Sequence, residues 1–226
     1  EMAKKKDPTN DWYAHYPAHR LSAEVIRDNA LAASGLLEQK VGGPSVYPYQ
    51  PKGIWKALAT RNATQYEQGQ GKDLYRRSMY TIWKRSAPPP SMMNFDAPDR
   101  YYCTVSRQKT ATPLQSLVLM NDPQYVEAAR VLAERTMQLS ETNQEQKIDF
   151  VFKSLVGRKP DVTEKTSLSN LFEEVQADFK KDKKSVKELL SIGERPVNRQ
   201  LDAVELSAYT MIASTVMNFD EFVMKR

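Results

Sequence analysis

Asn121-Asp122-Pro123-Gln124-Tyr125-Val126-Glu127-Ala128-Ala129-Arg130-Val131-Leu132-Ala133-Glu134-Arg135-Thr136-Met137 is the stretch that decides the fold. An aspartate such as Asp122 offers a side-chain oxygen to the first free amides of a helix, and Pro123 behind it has its φ preset for the first helical position. Val126, Ala129, Leu132, Ala133 and Met137 then recur at helical spacing and give the segment one apolar face. The spacing predicts a long helix opening at residue 123.

The same signals continue outward. Toward the C-terminus a helix is predicted to end near Leu155 or Val156, with Gly157 suited to the left-handed position beyond it. Thr163 reads as the cap of the next helix, whose Leu168, Leu171, Phe172, Val175 and Phe179 form an apolar stripe and whose polar end is the run Lys180 to Lys184. A shorter helix reaches Leu190 and stops at Gly193, and an apolar helix follows over roughly Asp202 to Met217.

Toward the N-terminus, Thr112 before Pro113 repeats the cap-then-proline signal. Ser22, with Leu21 and Ile26 at the spacing of a hydrophobic staple, predicts a helix from about Ala23 to Glu38. A short helix is expected near Ile54 to Ala59. Asp73 precedes a segment in which Tyr75, Met79, Ile82 and Trp83 predict a helix over 74–83. Proline-rich connections lie at Gly42 to Pro51 and at Pro88 to Pro90, the latter leading into an irregular segment or short strand, and the polar stretch 60–72 reads as a flexible loop. The expectation is one large, mostly α, multi-helix domain over 1–226, with long proline-rich loops and at most a few short strands.

Hydrophobic residues make up 40% of the 226 and charged residues 27%, the composition of a chain that folds. No apolar run approaches the roughly 20 residues of a membrane span. Glu1 to Asn10 is polar and lacks a signal-peptide core, so the sequence reads as a domain excised from a longer chain. Cys103 is the single cysteine, which excludes a thiolate zinc cluster or a haem-attaching C-x-x-C-H within these residues. Without a histidine near it in sequence, its thiol reads as buried or inert rather than nucleophilic. His15 and His19 stand four apart, but Pro17 lies between them and a third ligand is lacking, so no metal site is expected.

Charge is unevenly placed. The chain carries a formal +5, and residues 74–109 alone hold seven Lys/Arg against two Asp/Glu. Arg76, Arg77, Lys84, Arg85, Arg100 and Arg107 accompany Asp96 and Asp99 there. Guanidinium forks suit sulfate, phosphate and carboxylate, so Arg76, Arg77, Arg85, Asp96, Arg100 and Arg107 are the candidate ligand-binding set, for an acidic sugar or a partner's carboxylates. The other reading pairs these arginines with Asp96, Asp99 or Asp122 to tie down the loop. Met92, Met93 and Phe95 within it read as a hydrophobic plug. Asp96 or Asp99 would be the acid/base if the domain were an enzyme acting on polysaccharide. Tyr47, Tyr49, Tyr75, Tyr80 and Trp83 accompany basic residues and could stack bases, yet no nucleic-acid motif is present, so nucleic acid is not an expected partner.

Several stretches together resemble one family: Arg20 through Asp28, Gly43 through Pro51, Asp73 through Ser78, Trp83-Lys84-Arg85, Pro88 through Arg100, Thr112 through Gln115, Asn121-Asp122-Pro123, and Asn218 to Val223. The chain resembles domain of unknown function family 1553, the C-terminal domain of planctomycete-type cytochrome c proteins. The resemblance implies a periplasmic or extracellular bacterial parent, with haem c in an upstream domain and none in this one. It further implies an accessory or binding module that docks to other domains of the parent chain or holds an anionic ligand. The parent would take part in haem-dependent electron transfer or extracellular polymer breakdown.

Overall fold

Cap-and-proline signals become helix starts in the computed structural model, which describes residues 2–14, 18–57, 65–140 and 143–225. In chain order the helices are α1 (Met2–Lys6), α2 (Ala23–Ser34), α3 (Ile54–Ala57), α4 (Pro90–Asn94), α5 (Pro113–Asn121), α6 (Pro123–Met137), α7 (Gln144–Val156), α8 (Val162–Lys181), α9 (Lys183–Leu190), α10 (Ala203–Met217) and α11 (Asp220–Val223). Two short antiparallel strands, β1 (His19–Arg20) and β2 (Met224–Lys225), pair His19 with Lys225 and bring the early and late chain together. The protein is mostly α. Among the described residues no helix is long and apolar enough to cross a membrane.

The core is built on α10, which packs against α6, α7, α8 and α9, while α2 lies on α6. Ala128, Ala129 and Ala133 of α6 and Ala208 and Ala213 of α10 are fully buried, and such small side chains let helix axes approach closely. Leu132, Ile212 and Val216 fill the interface, and the rings of Phe172 and Tyr209 meet at 4.5 Å. The Asp122 carboxylate accepts from Gln124 N at 3.0 Å, as its cap role requires, and Gly157 adopts φ 82° behind α7. Met92 and Phe95 are buried as the expected plug.

Four expectations need correction. The helix predicted over 23–38 ends at Ser34, because Gly35 turns left-handed at φ 80° and the amides of Leu36 and Leu37 fold back onto the Leu31 carbonyl. Helix α8 is capped two residues earlier than Thr163: Asp161 caps it, and Glu164 returns a bond to the Asp161 amide in a complete capping box. Residues 74–83 form no α-helix; they make two 3₁₀ turns, Gly71–Tyr75 and Ser78–Tyr80, around an extended Arg76. The segment after Pro88 and Pro89 likewise begins with the single turn of α4 rather than with irregular chain.

Arg27 is the physical reason for the third difference. It is buried on α2 and donates from Nη2 to the Leu74 carbonyl at 2.7 Å, from Nη1 to the Arg76 carbonyl at 2.7 Å, and from Nε to Gln124 Oε1 at 2.6 Å. Those carbonyls would be consumed internally by a helix; here they satisfy a guanidinium withdrawn from water. Next to it, Asp28 accepts from both Ser78 N (2.7 Å) and Ser78 Oγ (2.6 Å), holding the segment to α2 from a second point. Residues 65–70 have no regular structure but are tied down, with Gly69 N donating to Tyr47 O at 2.8 Å and the Tyr66 hydroxyl to Pro48 O; residues 60–64 lie outside the described residues.

Replacing Arg27 with Met keeps the volume but strands the Leu74 and Arg76 carbonyls, so Arg27→Met is expected to lower stability by about 3 kcal/mol. Urea unfolding followed by circular dichroism measures it, and a loss under about 1 kcal/mol would mean that those carbonyls find other donors.

Candidate functional site

The six residues of the basic-segment set do not come together around one ligand. Arg76 is buried; Nη1 donates to the Pro44 carbonyl (3.1 Å) and Nη2 to those of Lys40 (3.2 Å) and Gly42 (2.5 Å), while its guanidinium lies 3.9 Å over the Tyr80 ring. Arg77 sits 3.7 Å from Asp28, and Arg107 makes a two-pronged bond to Glu24 at 2.6 and 3.1 Å. Arg100 stacks 4.4 Å over Trp83, and Arg85 is exposed at the turn between Lys84 and Ala87. Asp96 accepts from Thr110 N (2.7 Å) and Thr110 Oγ1 (2.8 Å), and Asp99 accepts from Tyr101 N (2.9 Å). Among the described residues neither aspartate forms an ion pair with these arginines. The arginines therefore act one by one, on backbone carbonyls, carboxylates and rings.

His19 lies in β1, and His15 lies outside the described residues. Cys103 is exposed, because the chain from Arg100 to Lys109 lies on the surface, so of the expected alternatives, a buried or an inert thiol, burial does not hold.

A second set of charges was missed in the sequence, and it lies inside α6. Glu127 has no exposed surface, and its carboxylate accepts from the Tyr75 hydroxyl (3.0 Å), the Tyr49 hydroxyl (3.0 Å) and Arg195 N (2.7 Å). Arg130, one turn on, lies 3.7 Å from Glu127, bonds Glu134 at 2.7 Å and donates to the Arg195 carbonyl at 2.7 Å. Glu127, Arg130 and Glu134 occupy one helical face at spacings of three and four, a signal readable in the sequence. Gly193 closes over this carboxylate so tightly that a Cβ there would meet Glu127 Cδ at 2.4 Å. Its φ of 93° also suits glycine alone. Burial first, and the Glu127 charge second, push the Tyr49 and Tyr75 hydroxyls well above the ordinary tyrosine range.

Tyr49 joins this buried site to the surface. Its hydroxyl accepts from Glu194 N at 2.8 Å while donating to Glu127, which fixes the start of the loop Tyr49–Lys52. That loop forms one wall of a cleft of about 590 Å³ whose other walls are α4, the end of α5 and the start of α6. Pro51, Pro90, Leu117, Val118 and Pro123 make most of the lining apolar, as in sites for small ligands. Among the described residues, the side chains of Gln50, Ser91 and Asn94 in this lining bond to no protein group, and Gln50 Nε2 is enclosed without an acceptor.

Asp122 is the carboxylate of the cleft. Burial raises its pKa above the usual aspartate range, opposed by the Gln124 amide and the charge of Arg27. A carboxylate perturbed by desolvation in a cleft of this size marks a functional candidate, whereas the arginines named above lie outside its lining. Among the described residues no group of three or more His, Cys, Asp or Glu is arranged to hold a metal.

A family model described as PSD1, protein of unknown function (DUF1553), matches residues 1–172. No curated protein and no solved structure matches the chain.

Two outcomes follow from the Glu127 site. Gly193→Ala should cost about 3 kcal/mol or more, since it combines backbone strain with overpacking against a buried carboxylate; thermal melts beside Gly42→Ala, where a Cβ meets nothing within 4 Å, separate the two contributions. Tyr49, Tyr66, Tyr75, Tyr125 and Tyr209 all have pKa values raised in the fold. An acid whose folded pKa exceeds its unfolded value stabilises fully below the unfolded value, about 10 for tyrosine, and progressively less above it. Tyrosinate absorbance should therefore show these five silent as pH passes about 10 and ionising only with unfolding.

Proposed function

Since the chain belongs to the DUF1553 family, whose description assigns no reaction, we propose that it is a non-catalytic accessory module which holds a ligand in the cleft between the Tyr49–Lys52 loop and the α4–α6 corner. The observation that carries this reading is the unused hydrogen-bonding capacity of Gln50, Ser91 and Asn94 inside a largely apolar cleft. Buried polar groups are ordinarily satisfied, so the enclosed Gln50 Nε2, beside the unpartnered side chains of Ser91 and Asn94 in a small-molecule-sized space, points to an external partner.

Binding rather than catalysis is favoured by the carboxylates. Hydrolysis of a glycosidic bond calls on two facing carboxyl groups, and Asp122 is the one acid in the cleft lining. Asp96 and Asp99, the acid/base candidates of the alternative reading, are occupied by Thr110 and by Tyr101 N. The module belongs, in this reading, to an exported multidomain parent; any haem c of that parent would be carried by another domain, since Cys103 alone cannot supply the two thiols of C-x-x-C-H.

Fragment titration followed by amide chemical shifts tests the proposal. Hits should move the side-chain amide signals of Gln50, Asn94 and Asn121, and Ser91→Trp, which fills the cleft, should abolish them without changing the melt. Shifts confined to Arg77, Arg85, Arg100 and Arg107 on adding sulfate would move the binding role to the basic segment instead.

A further inference from the structure

The cleft does not end at its rim. Leu117 lines it and is also 56% exposed, and along the same helix Leu114 and Met120 are 58% and 51% exposed. At spacings of three, these residues make an aliphatic stripe on successive turns of α5, continuous with the cleft through Leu117. Exposed apolar surface joined to a pocket marks an interaction site more specifically than scattered apolar residues do.

The chemistry of cleft and stripe narrows the occupant. The lining holds one acid, Asp122, and one base, Lys52, so it carries no net charge and favours an uncharged ligand. Its apolar walls are aliphatic and proline, with Tyr49 the single aromatic ring, a surface against which aliphatic side chains pack. The side chains of Gln50 and Asn94 are amides: Asn94 offers donors and an acceptor in the geometry of a peptide group, and Gln50 adds its Oε1 acceptor while its Nε2 is enclosed. The nine residues of α5 span about 13 Å at 1.5 Å per residue, the length of about four residues of extended peptide.

Resting on the reading that the cleft is the binding site, we infer that its occupant is an uncharged, extended polypeptide segment of a partner protein. Its backbone amides pair with Gln50 and Asn94. One aliphatic side chain enters the cleft, and the following ones lie along Leu114, Leu117 and Met120. This is the usual division of labour in recognition of extended peptides, with backbone bonds giving register and alternate side chains giving selectivity.

The test uses N-acetylated, C-amidated hexapeptides in which Leu or Val alternates with Ser, Asn or Thr. Matched peptides carrying Asp or Lys, and the neutral oligosaccharide cellohexaose, are run beside them. The uncharged peptides should shift Gln50, Asn94, Leu117 and Met120 together. Leu117→Asp and Asn94→Ala should each weaken binding about tenfold or more with an unchanged melting temperature. Because Leu117 is exposed, the first variant leaves the fold intact; if it still perturbed the melt, Asn94→Ala would carry the test. Binding of cellohexaose or of the acidic peptides in the cleft, with the uncharged peptides silent, overturns the peptide assignment and leaves the cleft as the binding site. If none of these probes and no fragment perturbs the cleft, both readings fall.

Discussion

Glu127 is a carboxylate removed entirely from water on the buried helix α6, and much of the molecule is arranged around satisfying it. An isolated charge in such a place costs several kcal/mol, so it survives only when hydrogen-bond donors surround it. Three donors come from far along the chain, the hydroxyls of Tyr49 and Tyr75 and the amide of Arg195, and the guanidinium of Arg130, one turn on, lies slightly farther off. One side chain thereby sets the position of the proline-rich loop, the 3₁₀ segment and the connection before α10. The cleft inherits its shape from this arrangement, because Tyr49 belongs to both.

Arginine plays the complementary part. Arg27 and Arg76 are buried and spend their donors on five backbone carbonyls, those of Leu74, Arg76, Lys40, Gly42 and Pro44. Chain segments without regular structure carry carbonyls that no helix or sheet satisfies, and a planar cation with five donors answers several at once. The local surplus of positive charge between residues 74 and 109 thus reflects partly how irregular chain is held in place. Arg107, paired with Glu24, fastens the same region to α2.

Helices were legible wherever local signals decided them. Asp122 with Pro123, Thr112 with Pro113, and the apolar stripes of α8 and α10 marked the main elements because capping and periodicity are properties of neighbouring residues. Residues 74–83 were misleading for a physical reason: Tyr75, Met79, Ile82 and Trp83 do follow a helical period, but the carbonyls are claimed by Arg27, nearly fifty positions earlier, and Met79 ends up exposed. The cleft was not legible. Gln50, Ser91 and Leu117 are unremarkable in their own segments, Asp122 reads only as a helix cap, and all four acquire their meaning as cleft lining only when four elements meet. The buried charges of α6 could have been found, since Glu127, Arg130 and Glu134 interrupt an otherwise apolar helix at regular spacing.

The tight closure of Gly193 over Glu127 bears on where this chain can be divided. Similarity to the family reaches residue 172, yet Arg195 and the helix against which α6 packs lie beyond it. A fragment trimmed at that boundary would bare the alanine face of α6 to solvent and leave Glu127 and Arg130 without their lid. The edge of sequence likeness runs through the hydrophobic core, so the unit that folds and the unit that similarity outlines are different lengths of the same chain.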